Sequence, residues 1–183
     1  HYRLAFHLFT AFVIFSSLLW ILMNYYTIQN KRIFQINPNF ISLQILIFLM
    51  FIQIIIGALV SGLDAGKIYQ TWPLMNDNYF PDDYSFNVFF DLTNPSFVQF
   101  IHRNIAYLIF FLAVYLGILV YKNKEVELYN SYLIFFLFIM LQIILGISVL
   151  FSDLNIAIAS MHQISSIFLI GSSLNLFHRS IKS

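Results

Sequence analysis

Two histidines in strongly apolar surroundings are the residues of this sequence best suited to chemistry. His102 lies in VQFIHRNIAYLIFFLAVYLGILVY and His162 in NIAIASMHQISSIFLIGSSLNLF, each a short way inside one end of its stretch. Imidazole is costly in lipid, so a histidine at such a depth usually faces the protein interior and has a function. Two imidazoles at matched depth suggest one shared ligand, and a heme with two axial histidines is the simplest candidate.

Small residues lie beside both histidines. The i+3 and i+4 neighbours of His162 are Ser165 and Ser166, and the i+4 neighbour of His102 is Ala106. Such side chains would leave room for a flat macrocycle, although small residues also allow close packing of helices in a membrane. Both interpretations stay open.

Arg103 follows His102 directly and is a second candidate for the site. An arginine at this depth is costly unless it extends to the headgroups or pairs with an anion. We therefore expect Arg103 either to reach the outer surface or to bind a heme propionate through a charge-assisted hydrogen bond.

His7 is a third histidine near one end of an apolar stretch, with Arg3 one turn away on the same face. If ligand histidines occur in pairs, the sequence contains no further histidine at that depth to pair with His7. We assign no chemistry to His178, which lies beside a basic residue at the end of the last stretch.

The elements that must position these residues are membrane-spanning helices. The chain is 60% hydrophobic and 9% charged, whereas soluble domains contain about 25% charged residues. A span takes about 20 apolar residues. The expected fold class is all-α, a polytopic membrane helical bundle of five transmembrane helices, four of which form a pseudo-twofold repeat. The predicted spans are roughly 4–26, 41–62, 98–121, 130–151 and 155–178.

Several classes of protein are excluded. The chain has no cysteine, so disulfides and thiolate metal sites cannot form. It contains no P-loop, no glycine-rich dinucleotide motif and no nucleophile elbow. No basic tract suggests nucleic acid as a partner.

The basic residues predict the orientation. Positive charges concentrate in short cytoplasmic connections, and here clusters follow the first, third and fifth spans. The loop 63–97 carries five aspartates and one lysine and should lie outside, where its glycines and its tryptophan suit an ordered cap. The expected location is the cell inner (cytoplasmic) membrane, or the mitochondrial inner membrane in a eukaryote. The inner clusters are Lys31, Arg32, Lys122, Lys124, Arg179 and Lys182.

The second and fourth spans repeat each other. Gln53-Ile-Ile-Ile-Gly57 matches Gln142-Ile-Ile-Leu-Gly146, and an aspartate follows each glutamine by 11 residues. Each unit then runs into a histidine-bearing span in the same sense. Parallel repeats are related by an axis along the membrane normal, so we expect 41–121 and 130–178 to superpose by a rotation of about 180°.

An odd number of spans, with the first residue outside and no initiator methionine, suggests the C-terminal part of a longer chain. We expect residues 1–30 to be a single transmembrane helix, the remnant of an N-terminal half. Residues 31–183 would then form a four-helix heme-binding half with the outer loop 63–97.

Four segments resemble the heme A synthase family: YRLAFHL, GALVSGLDAGKIYQTWPLM, VQFIHRNIAYL and LQIILGISVL…ASMHQISS. The resemblance implies eight spans in two four-helix halves, each with a histidine pair. It also implies oxidation of the C8 methyl of heme O to a formyl group, by successive hydroxylations and loss of water. The product is heme A for cytochrome oxidase.

The resemblance also assigns roles to residues. It implies that His102 and His162 are the iron ligands of a heme b cofactor in the second half, with Arg103 beside it. It places His7, and with it Arg3, in the pocket for the substrate heme. The family's catalytic glutamate and the cysteine pair of some members belong to a first outer loop that this sequence does not contain, so catalytic residues remain unassigned.

The expected partners are heme O, membrane lipid, an electron donor of unknown identity, and heme O synthase or cytochrome oxidase assembly factors. The alternative function is a bis-histidine membrane cytochrome that acts only in electron transfer. A third interpretation is a transporter or assembly subunit whose polar residues only stabilise helix packing.

Overall fold

A computed structural model of the chain describes residues 1–35, 40–83 and 91–181. Each of the five long helices in these ranges is apolar and long enough to cross a membrane. The expected all-α bundle of five spans is therefore confirmed. The helices are α1 (Tyr2–Thr27), α2 (Ile41–Gly62), α3 (Pro95–Lys122), α4 (Val126–Phe151) and α5 (Ile156–Ser180), with a short 3-10 helix at Ala65–Lys67.

Capping residues fix the N-terminal ends of α3 and α5. The Asn94 side chain accepts a hydrogen bond from the Phe97 N–H at 2.9 Å, and Pro95 occupies the first turn of α3. Asn155 caps α5 in the same way. Helix α3 therefore begins three residues before the predicted span at 98, because its first turn is polar and hydropathy does not reveal it.

Helices α2, α3, α4 and α5 form a ring in which each packs against the next, and α5 packs back against α2. Helix α1 lies outside the ring and packs against α2 and α5. Lipid is as apolar as leucine, so this ring is held by close packing of side chains rather than by a hydrophobic effect. The most completely buried side chains of the core include Leu43, Leu46, Leu116, Phe135 and Ile170.

The two predicted repeat units end in the same way. Helix α2 ends at Gly62 and α4 at Phe151, so each ends nine residues after its glutamine. Asp64 and Asp153 then adopt left-handed backbone, with φ of 53° and 54°. Aspartate is one of the few residues other than glycine that tolerates this region. The predicted rotation between the units remains a prediction.

The described part of the outer loop is tied to the turn between α4 and α5. Gln70 Nε2 donates to Asp153 Oδ1 at 2.7 Å. Gly66 packs closely on Leu154, since a Cβ at Gly66 would lie 2.8 Å from Leu154 Cδ2. The loop therefore bridges both repeat units, as a cap over their ends requires.

At the opposite end of the bundle, hydrogen bonds join α1 to α5. His178 Nε2 and Asn24 Oδ1 share one at 3.0 Å. Lys31 Nζ donates to the His178 carbonyl at 2.9 Å, and Trp20 Nε1 donates to the Lys31 carbonyl at 2.9 Å. The buried His178 therefore holds two helices together. Lys182, one of the six basic residues used for the orientation, lies outside the described residues.

Candidate functional site

Helices α2 and α3 together position His102. Gln53 Nε2 donates to the His102 carbonyl at 3.0 Å and lies 3.4 Å from His102 Nε2. One turn further along α2, a Cβ at Gly57 would lie 3.1 Å from His102 Cε1. The imidazole thus packs directly on the backbone of α2, where glycine leaves space for it.

Helices α4 and α5 position His162 with the same residue types. Gln142 Nε2 donates to the His162 carbonyl at 3.0 Å. A Cβ at Gly146 would lie 3.3 Å from His162 Cε1. The sequence marked these glutamines and glycines only as signs of a repeat. Their contacts with the histidines were missed, although the shared Gln-x-x-x-Gly spacing was the signal that could have revealed them.

The two histidines differ in one neighbour. Ser165 accepts a hydrogen bond from Gln142 Nε2 at 2.7 Å and donates to the His162 carbonyl at 3.0 Å. The residue three positions after His102 is Ile105, which has no hydroxyl. The Gln142 amide therefore bonds Ser165 rather than the His162 ring, whereas the Gln53 amide contacts the His102 ring.

Each imidazole keeps one buried nitrogen without a hydrogen-bond partner. Nδ1 of His102 and Nδ1 of His162 have none among the residues that the structure describes. Buried polar atoms are rarely left unpaired, so such a pair calls for an explanation. Both histidines are half-buried in the bundle. They also lie on α3 and α5, which stand diagonally in the ring with α2 and α4 between them.

These features fit a heme better than a bare metal ion. Within residues 1–35, 40–83 and 91–181 there is no group of three or more histidine, cysteine, aspartate or glutamate side chains that could hold a metal. Two imidazoles supply only two ligands, while a heme brings four nitrogens of its own and needs only axial partners. Glycine at both imidazoles leaves the rings on bare backbone, so the residues present fit the group.

Arg103 is buried beneath the outer loop, with 9% of its surface exposed. Its guanidinium donates to the Tyr69 carbonyl at 2.8 Å and to the Leu74 carbonyl at 3.2 Å. Gln99, one turn earlier, donates to the same Tyr69 carbonyl at 2.8 Å. The side chain therefore anchors the loop instead of reaching the surface. A guanidinium has five N–H donors, so pairing with a propionate remains a prediction.

Tyr69 is the residue at which the loop contacts converge. The single hydrogen of its hydroxyl is shared between Asp82 and Asp83, with Asp83 Oδ1 at 2.8 Å, and Asp83 also accepts from Ser96 Oγ at 2.6 Å. Burial, followed by the two carboxylates, raises the pKa of the Tyr69 phenol. The phenol therefore stays protonated and remains a donor.

Replacing Tyr69 with phenylalanine should loosen the loop. The change removes the one O–H donor that the two carboxylates share, and a hydrogen bond to a charged group contributes about 1.5 kcal/mol or more. We expect the open form of the loop to rise about tenfold, measured as faster cleavage by a protease added to the outer side. Tyr121→Phe, an exposed tyrosine at the far end of α3, is the control. Unchanged cleavage of the Tyr69 variant would contradict this role.

The structure does not bring His7 or Arg3 to the other histidines. Both are exposed on α1, on the side opposite the one that packs against the bundle. That packing side includes the buried Ala5, Phe12 and Trp20. Their assignment to a substrate pocket therefore remains a prediction.

The fold and the site define a multi-pass helical membrane protein in which equivalent Gln-x-x-x-Gly segments hold a pair of histidines. Residues 1–174 match the family described as cytochrome oxidase assembly protein. The chain belongs to the heme A synthase family of these proteins, which confirms the resemblance seen in the sequence.

Similar proteins include three bacterial heme A synthases. That of Pelagibacter ubique is 39% identical over 176 residues, covering 94% of this chain and 51% of the relative. That of Rickettsia rickettsii is 37% identical, covering 93% and 52%. That of a Wolbachia from Culex pipiens is 40% identical, covering 95% and 52%. The chain spans about half the length of these relatives.

Proposed function

We propose that this chain serves in an oxidoreductase that converts heme O to heme A, with a heme b held between His102 and His162. The observation that carries the proposal is the pair of half-buried imidazoles on diagonal helices, each with a buried, unpaired Nδ1 and each packed on a glycine. The relatives named heme A synthase support the reaction.

In this proposal the chain's own residues hold and shield the cofactor. His102 and His162 would hold the heme through its iron, and a bound heme would supply an iron that can change its redox state. The outer loop covers the ends of α3 and α5 and keeps water from the site. Arg103, already fixed by two loop carbonyls, has further N–H groups for a propionate.

We further propose that His7 and Arg3 line the pocket for the substrate heme O. They lie on the exposed face of α1, a face that further helices could cover. Residues 1–30 would then belong to an N-terminal half, and 31–183 to the half that holds heme b. The partner of His7 and the catalytic carboxylate would come from that other half, and an electron donor and assembly factors would act with the complete protein in the inner membrane.

The rival function is electron transfer through a bis-histidine cytochrome without modification of a substrate. A relay needs one heme site, whereas a synthase needs a second pocket for the heme that it oxidises. A third histidine, His7, on an uncovered helix face favours the synthase.

Reconstitution tests the proposal. The purified chain should bind heme b and give a Soret band, yet make no heme A from heme O and a reductant, because the substrate pocket is incomplete. Adding the N-terminal half of a relative, such as the Pelagibacter ubique protein, should restore heme A formation, measured by chromatography of extracted hemes. The absence of any Soret band would refute the heme site, and heme A formation by this chain alone would refute our placement of the substrate pocket.

A further inference from the structure

We infer that Gln53 with Gly57, and Gln142 with Gly146, are positioning residues that set the depth and the ring orientation of the two axial imidazoles. We call these two sets the Gln–Gly pairs. The inference rests on the proposed function, since it treats His102 and His162 as heme ligands. It goes further by naming the residues outside the ligand set that determine how the ligands are presented.

The glycines determine where each ring can lie. A Cβ at Gly57 or Gly146 would lie 3.1 or 3.3 Å from Cε1 of the facing imidazole, closer than ordinary van der Waals contact. Glycine weakens a helix interior relative to alanine, so its presence at both positions needs a local reason. Gly171 in α5 provides a contrast, because a Cβ there would meet its nearest atom, Leu19 Cδ2, at an ordinary 3.6 Å.

The glutamines determine how far each histidine-bearing helix is shifted along the neighbouring helix that carries the glutamine. Each donates at 3.0 Å to the backbone carbonyl of the histidine itself, not to a more distant residue. A carbonyl has two lone pairs, so it can accept this bond as well as the helical one. Sliding α3 along α2, or α5 along α4, would break the bond. Outer partners of this kind orient metal-ligating histidines in other proteins.

The two Gln–Gly pairs are not identical. Ser165 holds the Gln142 amide at 2.7 Å, so this amide is directed to the backbone. The Gln53 amide lies 3.4 Å from His102 Nε2, and its Oε1 is buried without a partner among the described residues. We therefore expect the environment of His102 to be the more sensitive of the two to a change at its glutamine.

The first test adds one methyl group to each site. Gly57→Ala and Gly146→Ala should each rotate or displace an imidazole, because the ring must yield a few tenths of an ångström. We expect shifted g values in the electron paramagnetic resonance spectrum of the oxidised heme protein and about tenfold faster heme loss. Gly171→Ala is the matched control and should keep the wild-type g values and rate.

The second test removes a hydrogen-bond donor at nearly constant volume. Gln53→Met and Gln142→Met should also shift the g values and speed heme loss, with the larger shift for Gln53. Gln44→Met is the control in the same helix, because Gln44 bonds the Gln35 carbonyl away from the histidines. Circular dichroism melting of each apoprotein separates loss of folding from loss of ligand geometry.

The results distinguish a failure of this inference from a failure of the proposed function on which it rests. Wild-type g values and heme-loss rates in both alanine variants would overturn the inference, while leaving the heme site intact. If a glycine variant fails to fold, the methionine variants decide, and wild-type spectra in both of them would overturn it. Full heme content after His102→Ala would show instead that the proposed heme site is wrong.

Discussion

Replacing either His102 or His162 with alanine is expected to abolish the low-spin heme spectrum of this protein. In the proposed site each imidazole would supply one of only two ligands from the protein, and within the described residues no third histidine, cysteine or carboxylate lies near enough to form a group that could replace it. Loss of a metal ligand exceeds the roughly 10–100-fold effect of losing an outer partner. The measurement is heme content per polypeptide, together with the absorption spectrum of the reduced protein.

Two other histidines serve as controls for this prediction. His178→Ala removes a buried histidine that bonds Asn24 at the opposite end of the bundle, so it should affect thermal stability but not the spectrum. His7→Ala changes an exposed histidine on α1 and should leave the proposed heme b site intact. Normal heme content in both His102→Ala and His162→Ala would show that the shared ligand is misassigned.

Arg103→Leu is expected to release the outer loop and to weaken heme retention. The change leaves the Tyr69 and Leu74 carbonyls without the guanidinium that now binds them. Two hydrogen bonds to a charged group contribute about 3 kcal/mol or more. This corresponds to a rise of roughly a hundredfold in the open form of the loop. Protease cleavage within the loop and the rate of heme loss measure the two effects separately.

The conservative variant separates two roles of the same side chain. Arg103→Lys keeps the positive charge but cannot bridge two carbonyls with a planar group. We expect faster loop cleavage than in the wild type, with heme retention above that of the leucine variant. Arg179→Leu, at an exposed arginine near the end of α5, is the control. Equal heme retention in the leucine and lysine variants would mean that Arg103 anchors the loop only and binds no propionate.

The buried Arg103 joins the outer loop to α3. Gln99 and Arg103 of α3 both donate to the Tyr69 carbonyl of the loop. A movement of α3 would therefore displace or break these hydrogen bonds to the loop, and a movement of the loop would do the same to α3.

The sequence by itself determined the class of protein and the number of spans. Hydrocarbon thickness requires long apolar helices whose backbone bonds are satisfied internally, so composition alone reveals them. It also predicted the repeat, because Gln53 and Gln142 precede their aspartates by equal intervals. In the structure, α2 and α4 end at equal distances after these glutamines. The first turn of α3, capped by Asn94, was missed, since capping is not a hydropathy signal.

Only the tertiary structure decided which side chains meet. The distance along the chain from Gln53 to His102 is 49 residues and from Gln142 to His162 is 20, so the repeated Gln-x-x-x-Gly pattern marked these positions without showing that they meet the histidines. Their contact depends on the relative height and rotation of two packed helices, which packing across the whole interface sets. The same reason explains Arg103, whose depth was foreseeable but whose partners, two loop carbonyls, depend on how the outer loop folds back over α3.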